Sequence, residues 1–467
     1  MALQLDDLLD DAGAAAAGER PWSLVEALYP LCRSVTGDGV RATLDRIGEC
    51  LPLQRTEVPS GTPVHDWEVP REWNVRDAWI ADADGRRVVD FRAHNLHLMS
   101  YSVPVRRTMT LAELQPHLHS RPDRPDDIPY RTSYYREQWG FCLRHRDRER
   151  LGPGPYEVVV DSTLAPGHLS LAESVVPGRS ADEVIVYTHT CHPSLANDNL
   201  SGIAVAVELA RALRRTTPRR TWRFIFGPGT IGSLTWLALR RDVLPRVRAG
   251  LVLGLLGDAG PLQYKPSRRG DTLTDRAAAH VLAGIDGARL LDFEPYGYDE
   301  RQFCSPGFDL PVGRLTRSPN SGFPEYHTSA DDLALVRPVH LAGALQALAR
   351  LAAVLDGNRV PLNLSPFGEP RLGKRGLYGS VGGGAPGAFE HALLWVLNQA
   401  DGTRDLLAIA ERARLPFATI EAAAEALEQA GLLRALDAAA PDGASTAPTF
   451  PASPVSLTCM TSKGIPT

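Results

Sequence analysis

The sequence predicts an α/β protein with a mixed, largely parallel sheet flanked by helices, a small mainly-β insertion and a C-terminal winged-helix domain. Three observations predict this fold. From residue 156, apolar runs of strand length (YEVVVDSTL, EVIVYTH, WRFIFGP and AGLVLGLLGD) alternate with turns and helical runs, which is typical of a sheet covered by helices on both faces. The preceding stretch at 64–91 is rich in aromatic residues, and its apolar residues recur at shorter intervals than in the later strands and helices. Three short amphipathic patterns follow a Pro/Gly-rich linker at 361–387.

The predicted elements divide the chain into three domains and a tail. Helical patterns before residue 60 and the later strand–helix alternation are assigned to one α/β domain, formed by residues 20–60 and 156–358. Residues 61–155 form the insertion, in which Asp84-Gly85 between two apolar runs marks a hairpin. Residues 386–436 form the winged-helix-like domain. Residues 437–467, rich in Ala, Pro, Ser and Thr, form a tail that we expect to be disordered.

Composition excludes several classes of function for the whole chain. The 467 residues carry a formal net charge of −5, which does not favour coating of nucleic acid or of an anionic membrane. No apolar run reaches transmembrane length without interruption, and the acidic N-terminus does not have the pattern of a secretory signal. Six cysteines without a paired spacing indicate free thiols in a reducing compartment. We therefore expect a soluble, cytoplasmic protein with no membrane partner.

The stretch at 182–213 (DEVIVYTHTCHPSLANDNLSGIAVAVELARAL) combines a strand, a polar turn and a helix. Its apolar start at 184–186 is typical of a buried strand, and its apolar end at 203–213 is long enough for a helix that packs on the sheet. His189 and Asp198 lie in the turn between them. Because ligands of α/β proteins bind in the crevice at the carboxyl ends of the strands, these side chains are candidates for chemistry.

Four side chains at predicted strand ends or in nearby loops are candidate metal ligands. They are His189, Asp198, Asp258 at the end of LVLGLLGD, and His327 in PEYHTS. Imidazole and carboxylate together suit zinc, and a catalytic zinc site leaves one position for water. Zinc lowers the pKa of water and polarises a carbonyl, so the predicted reaction is hydrolysis of an amide in a small peptide or an amide-containing metabolite.

Long segments of the chain resemble bacterial aminopeptidase-like proteins of the zinc-peptidase superfamily that includes leucyl aminopeptidases and glutamate carboxypeptidase. The resemblance is carried by HTCHPSLANDNLSG, YKPSRRGDTLTDR and DERQFCSPGFDLPVGRLTRSPNSGFPEYHTSADDL, and it extends to the insertion (VHDWEVPREWNVRDAWI) and the winged helix (LLWVLNQADGTRDLLAIA). It implies a zinc-exopeptidase-like fold and one or two zinc ions. By the resemblance, His189 and Asp258 hold one metal, Asp198 bridges, and His327 belongs to the second. It also implies a cis peptide between Asp198 and Asn199.

One loop departs from that family's pattern. The dizinc peptidases carry two consecutive glutamates after the next strand, one as general base and one as ligand, whereas this chain has Gly229 and Thr230 in FGPGTIGS. Glycine accepts no proton, and a threonine hydroxyl is a poor zinc ligand.

Three outcomes of this departure stay open. A base comes from elsewhere, with Glu300, Glu325 and His192 as candidates. Alternatively, an acidified water reacts with weak base help, at a loss of about 10²–10⁴ in rate. In the third outcome, the domain binds a ligand without turning it over, as a non-catalytic binding or regulatory protein.

Four further residues are candidates for substrate binding. Lys265, Arg268 and Arg269 follow Asp258 in YKPSRRGD and suit an anionic end of a substrate, although a solvated basic loop is an equal alternative. Tyr326 precedes His327 and could donate a hydrogen bond to a developing oxyanion.

The winged helix does not favour nucleic acid as a partner. Residues 403–430 contain at least as many acids as bases, whereas DNA contact requires an excess of Lys and Arg on the reading helix. We expect a protein-interaction role, including self-association through the winged helix or the insertion. A transcriptional regulator with a peptidase-like sensing domain is the alternative.

Overall fold

The computed structural model of the protein describes residues 5, 8, 11–319, 322–377 and 387–436. The predicted tail at 437–467 and the glycine run at 382–384 lie outside the described residues. The strands are β1 (Gln54–Pro59), β2 (Pro63–Val64), β3 (Trp67–Glu68), β4 (Glu72–Ala81), β5 (Arg87–Asp90), β6 (Val105–Met109), β7 (Leu118–His119), β8 (Phe141–Cys142), β9 (Tyr156–Ala165), β10 (His168–Val176), β11 (Glu183–His189), β12 (Thr221–Gly227), β13 (Val247–Leu253), β14 (Gln263–Lys265), β15 (Arg289–Leu290), β16 (Val312–Thr316), β17 (Val360–Asn363) and β18 (Leu433–Leu436). The helices are α1 (Asp11–Leu28), α2 (Asp38–Cys50), α3 (Leu111–Leu114), α4 (His145–Glu149), α5 (Gly202–Leu213), α6 (Ile231–Leu239), α7 (Leu273–Leu282), α8 (Glu300–Phe303), α9 (Pro338–Gly357), α10 (Ala388–Gln399), α11 (Leu406–Ala413) and α12 (Phe417–Gln429).

An eight-stranded mixed sheet forms the centre of the α/β domain. Its strand order is β1-β10-β12-β11-β13-β16-β14-β15. The four central strands, β12, β11, β13 and β16, are parallel. On one side β10 pairs antiparallel with β12 and with β1, and on the other side β14 pairs antiparallel with β16 and parallel with the edge strand β15. The predicted mixed, largely parallel sheet is confirmed. The carboxyl ends of the four central strands therefore meet at one edge.

Alternating side chains of β11 face two hydrophobic cores. Val184 and Val186 pack into the core beneath α1, α5 and α9, whereas Ile185 and Tyr187 pack into the core on the opposite face. Because successive side chains of a strand point to opposite faces, a strand buried on both sides has the continuous apolar run seen in the sequence.

The insertion is built around a four-stranded sheet of order β5-β4-β9-β6. The sequence prediction placed YEVVVDSTL in the α/β domain, but this strand, β9, pairs antiparallel with β4 and β6 of the insertion. The predicted boundary between residues 155 and 156 is corrected accordingly, because strand pairing is non-local and is not visible in the apolar run itself.

The winged helix begins earlier than predicted. Three helices, α10 to α12, fold with a two-stranded sheet in which β17 pairs antiparallel with β18. The strand β17, with the sequence VPLN, lies within the stretch that the sequence analysis assigned to a linker before residue 386. Side chains of α10, α11 and α12 join the same core as α9, so the two domains share buried surface.

The helix α9 is long and apolar enough to cross a membrane by length and composition alone. Most of that apolar window is buried inside the protein, where α9 packs against α1, α5 and α7. A core helix passes the same test, and its packing accounts for its composition.

Candidate metal centre

Three of the four predicted metal ligands converge at the carboxyl end of β11. His189 is the last residue of that strand, and its Nε2 lies 2.8 Å from Oδ1 of Asp198. His327 Nε2 lies 3.0 Å from Oδ2 of the same carboxylate. Asp198 is fully buried, and each of its two oxygens faces one of these imidazoles. The peptide bond between Asp198 and Asn199 is cis, as the sequence resemblance implied.

His192, predicted as a candidate base, belongs to the same cluster. Its Nδ1 lies 3.6 Å from Asp198 Oδ1, and candidate ligand atoms of His189, His192 and Asp198 all lie within 4.8 Å of one another. Nδ1 is buried without a hydrogen-bond partner among the described residues. Burial lowers the pKa of His192 to about 3, in spite of the opposing charge of Asp198.

The electrostatics of the cluster favour an ionised Asp198. Burial alone would raise the pKa of Asp198, but the adjacent imidazoles of His192, His189 and His327 hold it well below its usual range. For His189, burial lowers the pKa. The hydrogen bond and the charge of Asp198 outweigh this effect of burial, so the net shift of the His189 pKa is upward. An anionic carboxylate among imidazoles is the donor set of a zinc site.

Buried groups that sequence reasoning missed hold the loops of the cluster in place. The backbone N–H groups of Asn197 and Asp198 donate to Oδ1 and Oδ2 of Asp331, over 2.6 and 3.0 Å. Arg33 Nε donates to the carbonyl oxygen of His192 over 2.8 Å. Both Asp331 and Arg33 are buried. Neither carries a sequence motif that distinguishes it from a surface charge, so only its burial reveals its role.

Asp258, the fourth predicted ligand, points away from the cluster. Its Oδ2 accepts from Asn197 Nδ2 over 2.7 Å, and its Oδ1 accepts from Ser318 Oγ over 2.7 Å and from the N–H of Gly260 over 2.6 Å. The strand β13 ends five residues before it, and the residue of this chain segment that approaches the cluster is Gly254. A Cβ there would lie 3.8 Å from His189 Cε1. We therefore leave Asp258 out of the ligand set.

The remaining predicted residues divide between the site and other contacts. Glu300 is buried and its Oε1 accepts from Lys265 Nζ over 2.9 Å, which engages both a candidate base and a candidate substrate anchor in one ion pair. Arg268 and Arg269 are partly exposed and face Asp309. These residues are not brought to the imidazole cluster.

Tyr326 and Glu325 lie beside His327. The ring of Tyr326 stacks on the imidazole of His327 with 4.0 Å between centroids, and Glu325 is half-buried. On the other side, Tyr130 of the insertion packs edge-on against His327 and His192, and its N–H donates to the carbonyl oxygen of His327 over 2.8 Å. The insertion thus supplies one wall of the site, and Tyr326 another.

The loop that departs from the dizinc pattern lies next to the cluster and contains a glycine, Gly229, at which a Cβ would fit without a clash. A Cβ at Gly229 would lie 3.5 Å from Cys191 Sγ, 3.8 Å from Asp299 Oδ2 and 3.9 Å from His189 Cβ, all ordinary contacts. The N–H of Thr230 donates to Asp299 Oδ1 over 2.8 Å. The acidic side chain closest in space to Gly229 among these neighbours is therefore Asp299, which the sequence analysis did not select.

Comparison with known proteins agrees with this architecture. A family profile described as "Domain of unknown function (DUF4910)" matches residues 22–358, which is most of the chain. The chain belongs to this DUF4910 family. A second profile, described as a winged helix-turn-helix, matches residues 359–435. The start at 359 coincides with β17 and confirms a C-terminal winged helix.

A curated protein and a crystal structure, both from Clostridium acetobutylicum, are similar to this DUF4910 protein over nearly their whole length. One is 46% identical over 423 residues, covering 90% of this chain and 97% of its own. Its name assigns it provisionally to polysaccharide biosynthesis and gives it an aminopeptidase-like domain. The other is a crystal structure of a provisionally assigned peptidase, with a TM-score of 0.86, 44% identity, and coverage of 91% of this chain and 98% of its own. The chain thus contains an aminopeptidase-like domain.

A more distant structure shows the same fold. The zinc aminopeptidase BSAP from Bacillus subtilis has a TM-score of 0.54 and 15% identity, over 72% of this chain and 94% of its own. The α/β domain of this DUF4910 protein therefore has the fold of zinc aminopeptidases.

Proposed function

We propose that the protein is a zinc-dependent hydrolase of amide bonds that acts on a small peptide or an amide-containing metabolite. We place it in the superfamily of leucyl aminopeptidases and glutamate carboxypeptidase. The observation that carries the proposal is the position of one buried carboxylate, Asp198, between the imidazoles of His189 and His327 at 2.8 and 3.0 Å. That position lies at the carboxyl ends of parallel strands, where α/β enzymes bind their substrates.

The residues present fit zinc. Three imidazoles and one ionised carboxylate are within reach of one another, and each is a preferred zinc ligand. The buried Nδ1 of His192 has no hydrogen-bond partner among the described residues, and a cation would satisfy it. One or two ions at this place would polarise a substrate carbonyl and acidify a water molecule.

The chain's own groups would hold the candidate ligands in place and orient the substrate. Asp331 and Arg33 fix the backbone that carries Asp198 and His192. The rings of Tyr130 and Tyr326 pack against His327 from two sides and would hold its imidazole in place. The phenol of Tyr326, whose ring stacks on His327, would donate a hydrogen bond to oxygen as negative charge develops on a carbonyl.

The decisive test measures zinc before activity. Elemental analysis of purified wild-type protein is expected to give one or two zinc ions per chain, and His189→Ala is expected to lose at least one. His168→Ala removes an exposed imidazole at the start of β10 and serves as the matched control, with unchanged zinc. Zinc-loaded protein is then screened on aminoacyl and N-acyl amides. Wild-type protein without zinc, or equal zinc in the two variants, would end the proposal.

For partners and location we propose a cytoplasmic protein whose winged helix binds protein. The helix α12, which would read DNA in a helix-turn-helix, buries Ile420, Glu421 and Leu427 against the rest of the chain. Its acids Glu421 and Glu428 face Arg359. All five described cysteines are free thiols, which suits a reducing compartment. Retention on DNA at physiological salt would contradict the protein-binding role.

A further inference from the structure

Carboxylates close to the imidazole cluster differ in how far their oxygens are already engaged. Asp258 accepts three hydrogen bonds from its own surroundings. Asp331 uses both oxygens on backbone N–H groups. Glu300 is paired with Lys265 in a buried ion pair. Asp258 and Asp331 therefore have both oxygens engaged, whereas Glu300 has one engaged oxygen and an Oε2 that is buried without a hydrogen-bond partner among the described residues. The three atoms nearest to a Cβ at Gly229 include an oxygen of Asp299 and none of Glu300.

Asp299 differs because its two oxygens have different surroundings. Oδ1 accepts from the N–H of Thr230 over 2.8 Å and from Ser233 Oγ over 2.6 Å. Oδ2 faces the space that a side chain at Gly229 would fill, 3.8 Å from that position. The same position is 3.9 Å from His189 Cβ. One oxygen is therefore anchored, and the other borders a methyl-sized space next to the candidate zinc ligand His189.

We propose that Asp299 is the catalytic general base of the hydrolase, reaching the reacting water through the gap at Gly229. This inference rests on the proposed zinc-dependent function. Oδ2 takes a proton from the water, and the water oxygen forms a bond to the carbonyl carbon. The C–N bond then breaks, and the proton on Oδ2 passes to the leaving nitrogen. The proton that Oδ2 takes from water is passed on to the leaving nitrogen, so the carboxylate is regenerated and water is the only co-reactant.

The anchoring of Oδ1 would hold the carboxylate in one place for both proton transfers, from the water and to the leaving nitrogen. Ser233 and Thr230 belong to α6 and its N-terminal residue, so the carboxylate is fixed to the element that follows β12. A fixed carboxylate keeps Oδ2 in one place during the reaction, as a positioned base requires.

The test uses Asp299→Asn in the full-length, zinc-loaded protein. An amide oxygen at the Oδ1 place retains both anchoring hydrogen bonds, while the NH₂ group at the Oδ2 place cannot accept a proton. Asp309→Asn is the matched control, because Asp309 follows the same short helix, α8, that Asp299 precedes, and it pairs with the exposed Arg268. Glu325→Gln is examined in parallel as the competing base. Melting temperature and zinc content are measured for all three variants.

The probe is acetohydroxamic acid, which binds zinc and transfers its proton to a neighbouring base. Calorimetry in buffers of different ionisation enthalpy measures both affinity and proton transfer to the protein. We expect Asp299→Asn to keep its zinc, to lose the proton transfer and to bind roughly tenfold more weakly. On any amide that the wild-type protein cleaves, its kcat is expected to fall by about 10²–10⁴.

The outcomes separate this inference from the proposed function. Wild-type protein without zinc overturns both. Wild-type protein that holds zinc and binds the hydroxamate, together with an Asp299→Asn variant that behaves like Asp309→Asn, overturns the role of Asp299 alone. Loss of proton transfer confined to Glu325→Gln overturns it as well and assigns the base to Glu325.

Discussion

At the scale of single residues, the site depends on buried polar groups with defined partners. The carboxylate of Asp198 lies close to the imidazoles of His189, His192 and His327. Asp331 in turn accepts a hydrogen bond from the backbone N–H of Asp198. A buried polar group that is left without its partner costs more free energy than its hydrogen bond contributes. The strongest effects on site geometry are therefore expected from residues that never touch a substrate.

Asp331→Asn is expected to disturb the candidate metal centre from outside the proposed ligand set. Both oxygens of Asp331 accept backbone N–H groups, and Asn can accept only one of them. The free energy of unfolding should fall by about 1–3 kcal/mol. Zinc affinity should fall by about 10–100-fold, as for other groups that orient metal ligands. Denaturant titration and zinc competition measure the two effects.

The neighbouring Asp332→Asn is the control for that change. Asp332 accepts from the N–H of Ala334 over 2.8 Å in an exposed turn. Its variant should keep wild-type stability and zinc affinity. Equal losses in both variants would contradict a specific role of Asp331.

At the scale of elements, close approach of strands explains one glycine. Gly250 lies in β13 between β11 and β16, and a Cβ there would be 2.7 Å from Ile185 Cγ1 and 2.7 Å from Val312 Cγ2. Both neighbours are fully buried and cannot move away. Gly250→Ala is therefore expected to lower the free energy of unfolding by about 1–3 kcal/mol. Urea denaturation provides the measurement.

Gly229→Ala is the matched control for the effect of an added methyl group. Its Cβ would meet its neighbours at 3.5 Å or more, so stability should change by less than about 0.5 kcal/mol. A large loss at Gly229 would show that the space beside Asp299 is not open.

The helix α12 carries a carboxylate whose ionisation depends on folding. Burial raises the pKa of Glu421 from 4.5 to about 7, in spite of Arg359, whose guanidinium is 3.8 Å away and is engaged by Glu428. The folded state thus binds more protons than the unfolded state between about pH 4.5 and 7. Stability contributed by this group is lost as the pH rises through that window.

Glu421→Gln should remove this pH dependence. Relative to wild type, the variant is expected to gain stability on going from pH 5 to pH 8, by about 2–3 kcal/mol. Denaturant midpoints at several pH values measure the difference. Glu369→Gln, which changes an exposed carboxylate, is measured in parallel as the control. A flat difference for Glu421→Gln would contradict the buried ionisation.

At the scale of the whole molecule, the winged helix and the α/β domain form one body. Arg276 of α7 binds Asp405 through both terminal nitrogens at 2.8 and 3.0 Å. The N–H of Phe417 donates to His280 Nε2 over 3.2 Å, and the ring of Phe417 is buried in the shared core. Contacts of this kind couple the stability of both domains.

Phe417→Ala should therefore destabilise the entire protein. Truncation of a buried phenylalanine to alanine lowers the free energy of unfolding by about 3–5 kcal/mol. Both wild type and variant are expected to unfold in a single transition, with the variant at lower denaturant concentration. Fluorescence from Trp395 in α10 and from Trp222 in β12 can be separated with single-tryptophan variants. Two transitions at different denaturant concentrations would show independent domains.

The sequence by itself determined the α/β class and the buried strand that ends at His189, and it selected His189 and Asp198 in the turn that follows. Those features depend on local apolar patterns and on the rule that parallel strands end at a common edge. Tertiary structure decided which way Asp258 faces, that His192 joins the cluster, and where Asp299 lies. Side-chain direction after a strand end depends on several loop residues, and no local pattern records it. The pairing of β9 with the insertion and of β17 with β18 was decided in the same way, because a strand's partner is chosen by distant segments of the chain.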